Sequence, residues 1–457
     1  MHGRLAQWLK FLKTPVPVAP LITFRIIFGL LMAFSTLRFW WLGWIEDHFI
    51  NTHFTFKYFG FEWVQLLPPE AMYALHGLMF IGAIGITLGL YYRWSALLFF
   101  LTFTYVELVD LTYYLNHYYF VSLVSLLLIV VPANCYFSLD VYFNPKIQSQ
   151  QVPRWAIDIF KWQIGIVYIF AGIAKINTDW LIHALPLKIW LPPHSSLPLI
   201  GPVFNWEATA YLFSWFALFY DLFIVFFLVW KPTRLLAYLS VVLFHCLTGL
   251  LFPIGIFPLV MIGGTWIFFP ESFHQKLLDK ASNLFKRATF VPHKREDNQK
   301  VAVVKTPKYI AWILSIYFLI QLLLPWRYLL YPGNLFWTEE GYRYSWRVML
   351  VEKAGTATFY VKDSRSGREG VVNNREFLRE QQERLMAYQP DMILQFAHFL
   401  AEHYEREGVY QPQVRAEVYV TMNGRPSNLL IDPEVNLAAI KDSWRHKEWI
   451  IIAGREF

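Results

Sequence analysis

Trp155-Ala-Ile-Asp-Ile-Phe-Lys-Trp-Gln-Ile-Gly-Ile-Val-Tyr-Ile-Phe-Ala-Gly-Ile-Ala-Lys175-Ile-Asn-Thr-Asp-Trp180 is the stretch whose reading decides the fold. From 155 to 176 it is a predominantly apolar run, and about 20 such residues make one bilayer crossing. Working outward with the same measure gives runs near 21–44, 71–90, 94–112, 115–134, 208–230, 234–252, 254–269 and 309–327, nine candidate spans in all. Only Tyr92-Arg93 separates the second from the third, and Lys231-Pro-Thr-Arg234 the sixth from the seventh, so these pairs are tight helical hairpins. The expected fold class is mainly α: a polytopic transmembrane helical bundle of about nine spans over residues 1–327, followed by a small extramembrane α+β cap over 328–457.

Composition agrees. Of 457 residues, 56% are hydrophobic, 19% aromatic and only 16% charged. The net charge of +7 comes from Lys and Arg placed in short stretches between apolar runs, not from one basic face, so nucleic-acid binding is not indicated. Counting basic residues in the short loops puts Arg4, Lys10, Lys13, Arg93, Lys146, Arg154, Lys231, Arg234 and the run from Lys276 to Lys308 inside. The N-terminus is then inside and the C-terminal domain outside. The first span lacks a small-residue cleavage pattern and is read as retained. Cys135 and Cys246, the only cysteines, offer neither a disulfide framework nor a zinc spacing, and no metal site is indicated.

Beyond Pro325 charges return. Alternation in Trp346–Val351 and Thr356–Lys362 with a Gly between them reads as a hairpin, and Ser364-Arg-Ser-Gly367 as a turn before Gly370-Val-Val372. Helices are expected over 375–387 and 390–406, then a strand over 414–421 and a turn at Asn423-Gly424.

Ionisable residues inside spans are costly and mark function or a buried partner. Here they are Arg25, Glu107, Asp110, His117, Lys175, Asp221 and His245, with Asn116 and Gln163 as neutral companions. Lys175, at the outer end of its span, would be an amine stripped of water, which favours a neutral form able to accept a proton. The alternative is a lysine that snorkels to the headgroups. Asn116-His117, among four tyrosines at a tight outer turn, could orient a carbonyl or phenolic oxygen or could belong to the interfacial aromatic belt. His245 reads first as a satisfied buried histidine. Asp110 and Asp221 are candidate counter-charges for Lys175 or Arg25. GxSxG, P-loop, GxGxxG and HExxH patterns are all missing, so hydrolase, NTPase, Rossmann and zincin chemistry lose their support. What remains is a buried amine, an imidazole and many aromatics around an apolar pocket suited to a quinone or another flat, greasy ligand.

Several segments, in order, resemble the vitamin K-dependent gamma-glutamyl carboxylase family with its HTTM-type membrane domain. They are Phe24-Arg-Ile-Ile-Phe-Gly29, the run Met79 to Arg93, Asn116-His117, Ala171-Gly-Ile-Ala-Lys175 with Asp179-Trp180, Phe244-His-Cys246 with Phe252 to Phe257, Gly341-Tyr-Arg-Tyr-Ser-Trp346 and Ile431-Asp-Pro433. The resemblance implies a carboxylase, a carbon–carbon lyase, with coupled epoxidase activity. Its cofactor is reduced vitamin K (phylloquinone or menaquinone hydroquinone) and its co-substrates are O2 and CO2. Lys175 takes the place of the base that deprotonates the hydroquinone. Oxygenation of the quinone, which ends as the 2,3-epoxide, then yields a stronger base that removes a γ-proton from glutamate, and the carbanion captures CO2. His117 takes a supporting catalytic place, and Asn116, Tyr342, Met349 and His245 take cofactor-binding places. The implied partners are a glutamate-containing protein or peptide and membrane lipid.

Departures matter as well. Longer animal members carry a propeptide-binding lumenal region and a disulfide, whereas this chain has no cysteine beyond its membrane half. It has Cys135 where they have a histidine, and Ala174-Lys175 where they have two lysines. These features suggest a compact prokaryotic plasma-membrane homologue and make carboxylation less certain than epoxidation. The alternatives are a hydroquinone epoxidase without protein carboxylation and a non-enzymatic lipid-binding or transport protein, the latter weakened by the lack of paired Gly/Pro-broken spans.

Overall fold

The apolar runs fold as helices: α1 (Ala19–Trp41), α2 (Pro69–Leu88), α3 (Tyr92–Val109), α4 (Asn116–Val130), α5 (Trp155–Ala174), α6 (Glu207–Val229), α7 (Arg234–Leu251), α8 (Phe257–Gly264), α9 (Glu271–Phe285) and α10 (Lys308–Leu323). The structure, a computed structural model, describes residues 7, 10–285 and 308–452. Arg4 and the basic residues from Lys286 to Lys305, which entered the orientation argument, lie outside the described residues.

Among the described residues six helical segments are long and apolar enough to cross a membrane: α1, α2, α5, α6, α7 and the segment 309–330, which joins α10 to a 3-10 turn. This is a membrane protein. Of the other three expected runs, one is as long as α7 but less apolar and two form shorter helices. The 94–112 run is α3, which carries Arg93 and Glu107. The 115–134 run is helical only over α4, and the 254–269 run, held up by Pro253 and Gly255, is the short α8 closed by a 3-10 turn at Thr265–Phe268. On α6, α7 and α10 large side chains such as Trp215, Phe219, Phe223, Leu236, Leu243, Trp312 and Leu319 stand exposed, which is the expected surface of helices facing hydrocarbon.

Close packing rests on small residues. A Cβ on Gly29 of α1 would stand 2.7 Å from the Thr87 amide nitrogen of α2. One on Gly172 of α5 would stand 2.8 Å from Leu222 Cδ2 and 2.9 Å from the Leu222 nitrogen of α6. The loops divide into two ends. At one, a short ribbon pairs β1 (Pro15–Pro17) with β2 (Gln151–Pro153), and Asp140 accepts from the amides of Tyr91 and Tyr92. Here Arg25, fully buried, forms no ion pair among the described residues; it donates to the carbonyls of Ala133 (2.8 Å) and Phe137 (2.7 Å). At the other end the loops expected outside meet the C-terminal domain: Lys57 N–H donates to Gln395 Oε1 (2.7 Å), and Gln382 donates to Asp110 (3.0 Å). Asp110 is therefore a partner of the cap, not of Lys175 or Arg25.

The cap is a four-stranded antiparallel sheet with two helices. β3 (Lys353–Lys362) pairs with β4 (Glu369–Val371) on one edge and along its whole length with β5 (Gln413–Met422), in the register Lys353 to Met422 and Lys362 to Gln413. β6 (Asn428–Leu429) follows a turn in which Asn423 and Gly424 both have positive φ, the hairpin signature of Asn-Gly. α11 (Glu380–Met386) and α12 (Pro390–Arg406) pack Met386, Ile393, Phe396 and Leu400 against the inward residues Phe359, Val414, Ala416 and Val418. The expected hairpin arm at 346–351 is not a strand. Tyr344, Trp346 and Met349 have φ of 60°, 60° and 52°, so the segment coils over the bundle and leaves β5 as the partner of β3. The helix expected from 375 begins only at Glu380, after a 3-10 turn at Asn374–Glu376.

Candidate functional site

Lys175 is the residue that closes α5, its amide bonded to the Gly172 carbonyl. Its Nζ does not reach toward headgroups. It lies 2.6 Å from Asp221 Oδ2 of α6, donates to the Ala171 carbonyl (3.2 Å) and sits 5.4 Å from the centre of the Trp180 ring. Lys175 is 5% and Asp221 4% exposed, so the pair is sealed from water. Gly172 makes this possible by letting α6 approach α5 one turn below. Trp180 is fixed by its own indole N–H, which donates to the Ser214 carbonyl (2.8 Å).

A polar and aromatic array continues from Asp221. The adjacent Tyr220 hydroxyl lies 3.3 Å from that of Tyr168, which lies 2.9 Å from His245 Nε2. His245 Nδ1 is buried and has no hydrogen-bond partner among the described residues. The His245 ring meets Phe257 edge-on at 5.9 Å, and Phe257 stacks on His117 at 5.1 Å. The two histidines and the Lys175 end of α5 thus share one contiguous patch drawn from α4, α5, α6, α7 and α8.

Asn116 is turned to the cap. Its Nδ2 donates to the Arg347 carbonyl (2.9 Å) and its Oδ1 accepts from the Tyr114 hydroxyl (3.0 Å). The Tyr342 ring packs on Phe336 at 6.3 Å. Phe336 in turn joins the apolar cluster that holds Ala174, Trp180 and Leu350, next to Met349. Tyr342 and Met349 therefore belong to a cap segment laid over the outer end of α5, and the left-handed backbone at Met349 is the kind of conformation a non-glycine holds only when its surroundings fix it.

A latch fastens this roof, which residue types alone did not reveal. Asp179 receives both guanidinium nitrogens of Arg425 (2.9 Å and 2.5 Å) and the Asn423 amide (2.7 Å), while Asn423 Oδ1 accepts from the Glu352 amide and Glu352 accepts from the Trp190 indole (2.5 Å). Burial opposes the charge on Asp179, but the Arg425 and Asn423 hydrogen bonds outweigh it and hold the carboxyl below its ordinary range. The signal was present in Asp179-Trp180 and in the Asn423 turn, but nothing in the sequence joined them. Asp221 was one of two candidate counter-charges; Tyr168 and Tyr220 were not singled out.

A separate cavity of about 630 Å³ opens between α3, α4, the end of α10 and the cap, and none of Lys175, His117, Asn116, His245, Tyr342 or Met349 lines it. Among the described residues no group of three or more His, Cys, Asp or Glu could hold a metal ion.

Comparison with known families gives two matches. Residues 13–273 match the HTTM domain, and residues 306–456 match the lumenal domain of vitamin K-dependent gamma-carboxylase. No solved structure matches.

Proposed function

This chain belongs to the vitamin K-dependent gamma-carboxylase family, and on that footing we propose that it is a membrane enzyme that γ-carboxylates glutamate residues with reduced vitamin K, O2 and CO2, coupled to quinone 2,3-epoxidation. The observation that carries the reading is the Lys175–Asp221 pair, a sealed amine and carboxylate at 2.6 Å beside an aromatic patch with two histidines.

The residues present fit a quinol ring. The orphaned Nδ1 of His245 needs a partner, and the rings of Phe244, Phe257 and His117 around it supply the aromatic surroundings that a flat ring favours. In this reading Lys175 Nζ takes a ring hydroxyl proton, Asp221 holds the resulting ammonium, and His117 and His245 orient the ring oxygens. Asn116 fixes the cap segment, and Tyr342 and Met349 close the site from above. The bound hydroquinone supplies, through its oxygenation, the strong base that an amine is not. Exclusion of water, the protein's part, keeps that base from being quenched.

The same reading sets the topology: nine crossings, with α3, α4 and α8 completing the six long spans, a membrane domain over 1–327 and an extracytoplasmic cap over 328–457. The N-terminus lies inside, in the plasma membrane of a prokaryote. The short-loop positive charges Arg93, Lys146, Arg154, Lys231 and Arg234 support this sidedness. The partner is a glutamate-containing protein or peptide.

The test is purified, detergent-solubilised protein with vitamin K hydroquinone, oxygen, labelled bicarbonate and a glutamate-containing peptide, run beside Lys175→Ala. Lysine-dependent epoxide together with label in the peptide is expected. Epoxide alone would leave an epoxidase with another acceptor, and neither product would overturn the reading.

A further inference from the structure

The 630 Å³ cavity apart from the Lys175 patch falls within the range of about 300–1,000 Å³ typical of small-molecule sites, and its two halves differ in chemistry. Its membrane half is apolar, walled by Phe100 of α3, Leu123 and Leu126 of α4 and Leu324 beyond α10. Its cap half is charged. Leu101 and Leu323, the chain neighbours of Phe100 and Leu324, are 55% and 61% exposed on the hydrocarbon-facing surface, so the apolar half adjoins the surface where lipid chains stand.

Most charges in the cap half are spoken for. Asp391 binds Arg343, Asp442 binds Lys447, Glu339 binds Lys353, and Glu340 accepts from His446 and the Lys447 amide. Three charged residues of the lining are left over: Arg327 and the exposed Arg445 in the cap half, and Glu107 in the membrane half. The Arg327 side chain forms no hydrogen bond or ion pair among the described residues and stands near the rings of Tyr344 (5.8 Å) and Trp444 (6.0 Å). Glu107, on the α3 wall, likewise has no hydrogen bond or ion pair. A half-buried guanidinium without an anion is a costly arrangement that a ligand would relieve.

We infer that this cavity seats one chain of an anionic phospholipid from the surrounding membrane, with its phosphate on Arg327 and its hydrocarbon on Phe100, Leu123, Leu126 and Leu324. A guanidinium takes phosphate oxygens in a bidentate fork, and Tyr344 and Trp444 flank it as interfacial aromatics do. Glu107 stands on the wall below, where the glycerol linkage lies. The preference is for an anionic head because every acid of the cap half is already neutralised by a cation or engaged in hydrogen bonds, and the one unpaired acid of the lining, Glu107, lies on the membrane wall and not beside Arg327. The inference is independent of the proposed reaction.

The full-length chain, delipidated in detergent, is titrated with phosphatidylglycerol, phosphatidylcholine or inorganic phosphate and followed by thermal unfolding and by native mass spectrometry. Phosphatidylglycerol is expected to raise Tm saturably with one lipid retained per chain, to bind about tenfold or more tighter than phosphatidylcholine, which has the same phosphate but brings a choline ammonium beside the guanidinium, and inorganic phosphate to have no effect. Arg327→Gln should bring phosphatidylglycerol down to the level of phosphatidylcholine, and Arg327→Lys should keep most of the preference. Leu126→Trp, which fills the apolar half, should abolish retention of both lipids. Equal binding of the two lipids by the wild type, an unchanged preference in Arg327→Gln, stabilisation by inorganic phosphate alone, or displacement of the bound lipid by phylloquinone one for one would each overturn the assignment.

Discussion

Removing one partner of the Lys175–Asp221 pair should cost far more than removing both. At 2.6 Å the gross attraction is about 6 kcal/mol at an effective dielectric of about 20. With both groups sealed from water, either single change strands a buried charge or an unsatisfied polar group, at about 3–5 kcal/mol. Lys175→Met and Asp221→Leu should each destabilise by that amount, whereas the double variant, with two apolar residues of similar volume, should fall within about 1 kcal/mol of the wild type. The assay is a double-mutant cycle in mixed micelles, with unfolding by SDS followed through tryptophan fluorescence. Additivity of the two single effects to within about 0.5 kcal/mol would refute the argument, since it would mean that the groups do not depend on one another. The double variant also separates stability from chemistry: it should be folded and should form neither epoxide nor carboxylated peptide.

Gly172→Ala places a methyl 2.8 Å from Leu222 Cδ2 and 2.9 Å from the Leu222 nitrogen, so it should destabilise the chain by about 1–3 kcal/mol and lower turnover by parting α5 from α6; unchanged thermal stability would show that the helices are not in close contact there. The Asp179–Arg425 latch should respond to acid. A carboxyl held below its ordinary range stabilises the folded state above that range, and its contribution is lost as pH falls through the depressed value. Proteolytic release of the cap should therefore rise on acidification through and below the ordinary carboxylate range, and in Arg425→Gln it should be higher at neutral pH and less dependent on pH over that acidic window.

Where a local rule governs, the sequence was legible. The hairpin at Lys231-Pro-Thr-Arg234 leaves α6 at Val229 and opens α7 at Arg234, and Asn423-Gly424 turns β5 into β6 as Asn-Gly should. The expected helix over 390–406 coincides with α12 because Pro390 can start a helix and its apolar residues repeat with helical spacing. Segment 346–351 was misread because its alternation matches a strand, while its backbone follows contacts with the bundle that local pattern does not encode. The same limit applied to the ionisable residues. Their presence in spans singled out Lys175, but Asp110 and Asp221 were equivalent in sequence. What separates them is tertiary: the helix approach at Gly172 delivers Asp221 to the amine, and Gln382 of the cap takes Asp110.

The pairing also constrains how the proposed base works. An amine already bonded to a carboxylate accepts a proton only if the pair has first given one up, so Lys175 and Asp221 must act as one unit that stores a proton between two heavy atoms 2.6 Å apart. Such a unit is useful only where water cannot reach it, because water would exchange the proton faster than a bound substrate could. The enclosure is the work of the cap. Asn116 grips Arg347, Trp190 grips Glu352, and Asp179 grips Arg425, three contacts that tie the membrane half to the cap, the first two at the segment carrying Tyr342 and Met349 and the third at the turn after β5. Loosening any of them should admit water to the pair before it unfolds anything, so the dryness of the amine depends on the extramembrane domain as much as on the helices that carry it.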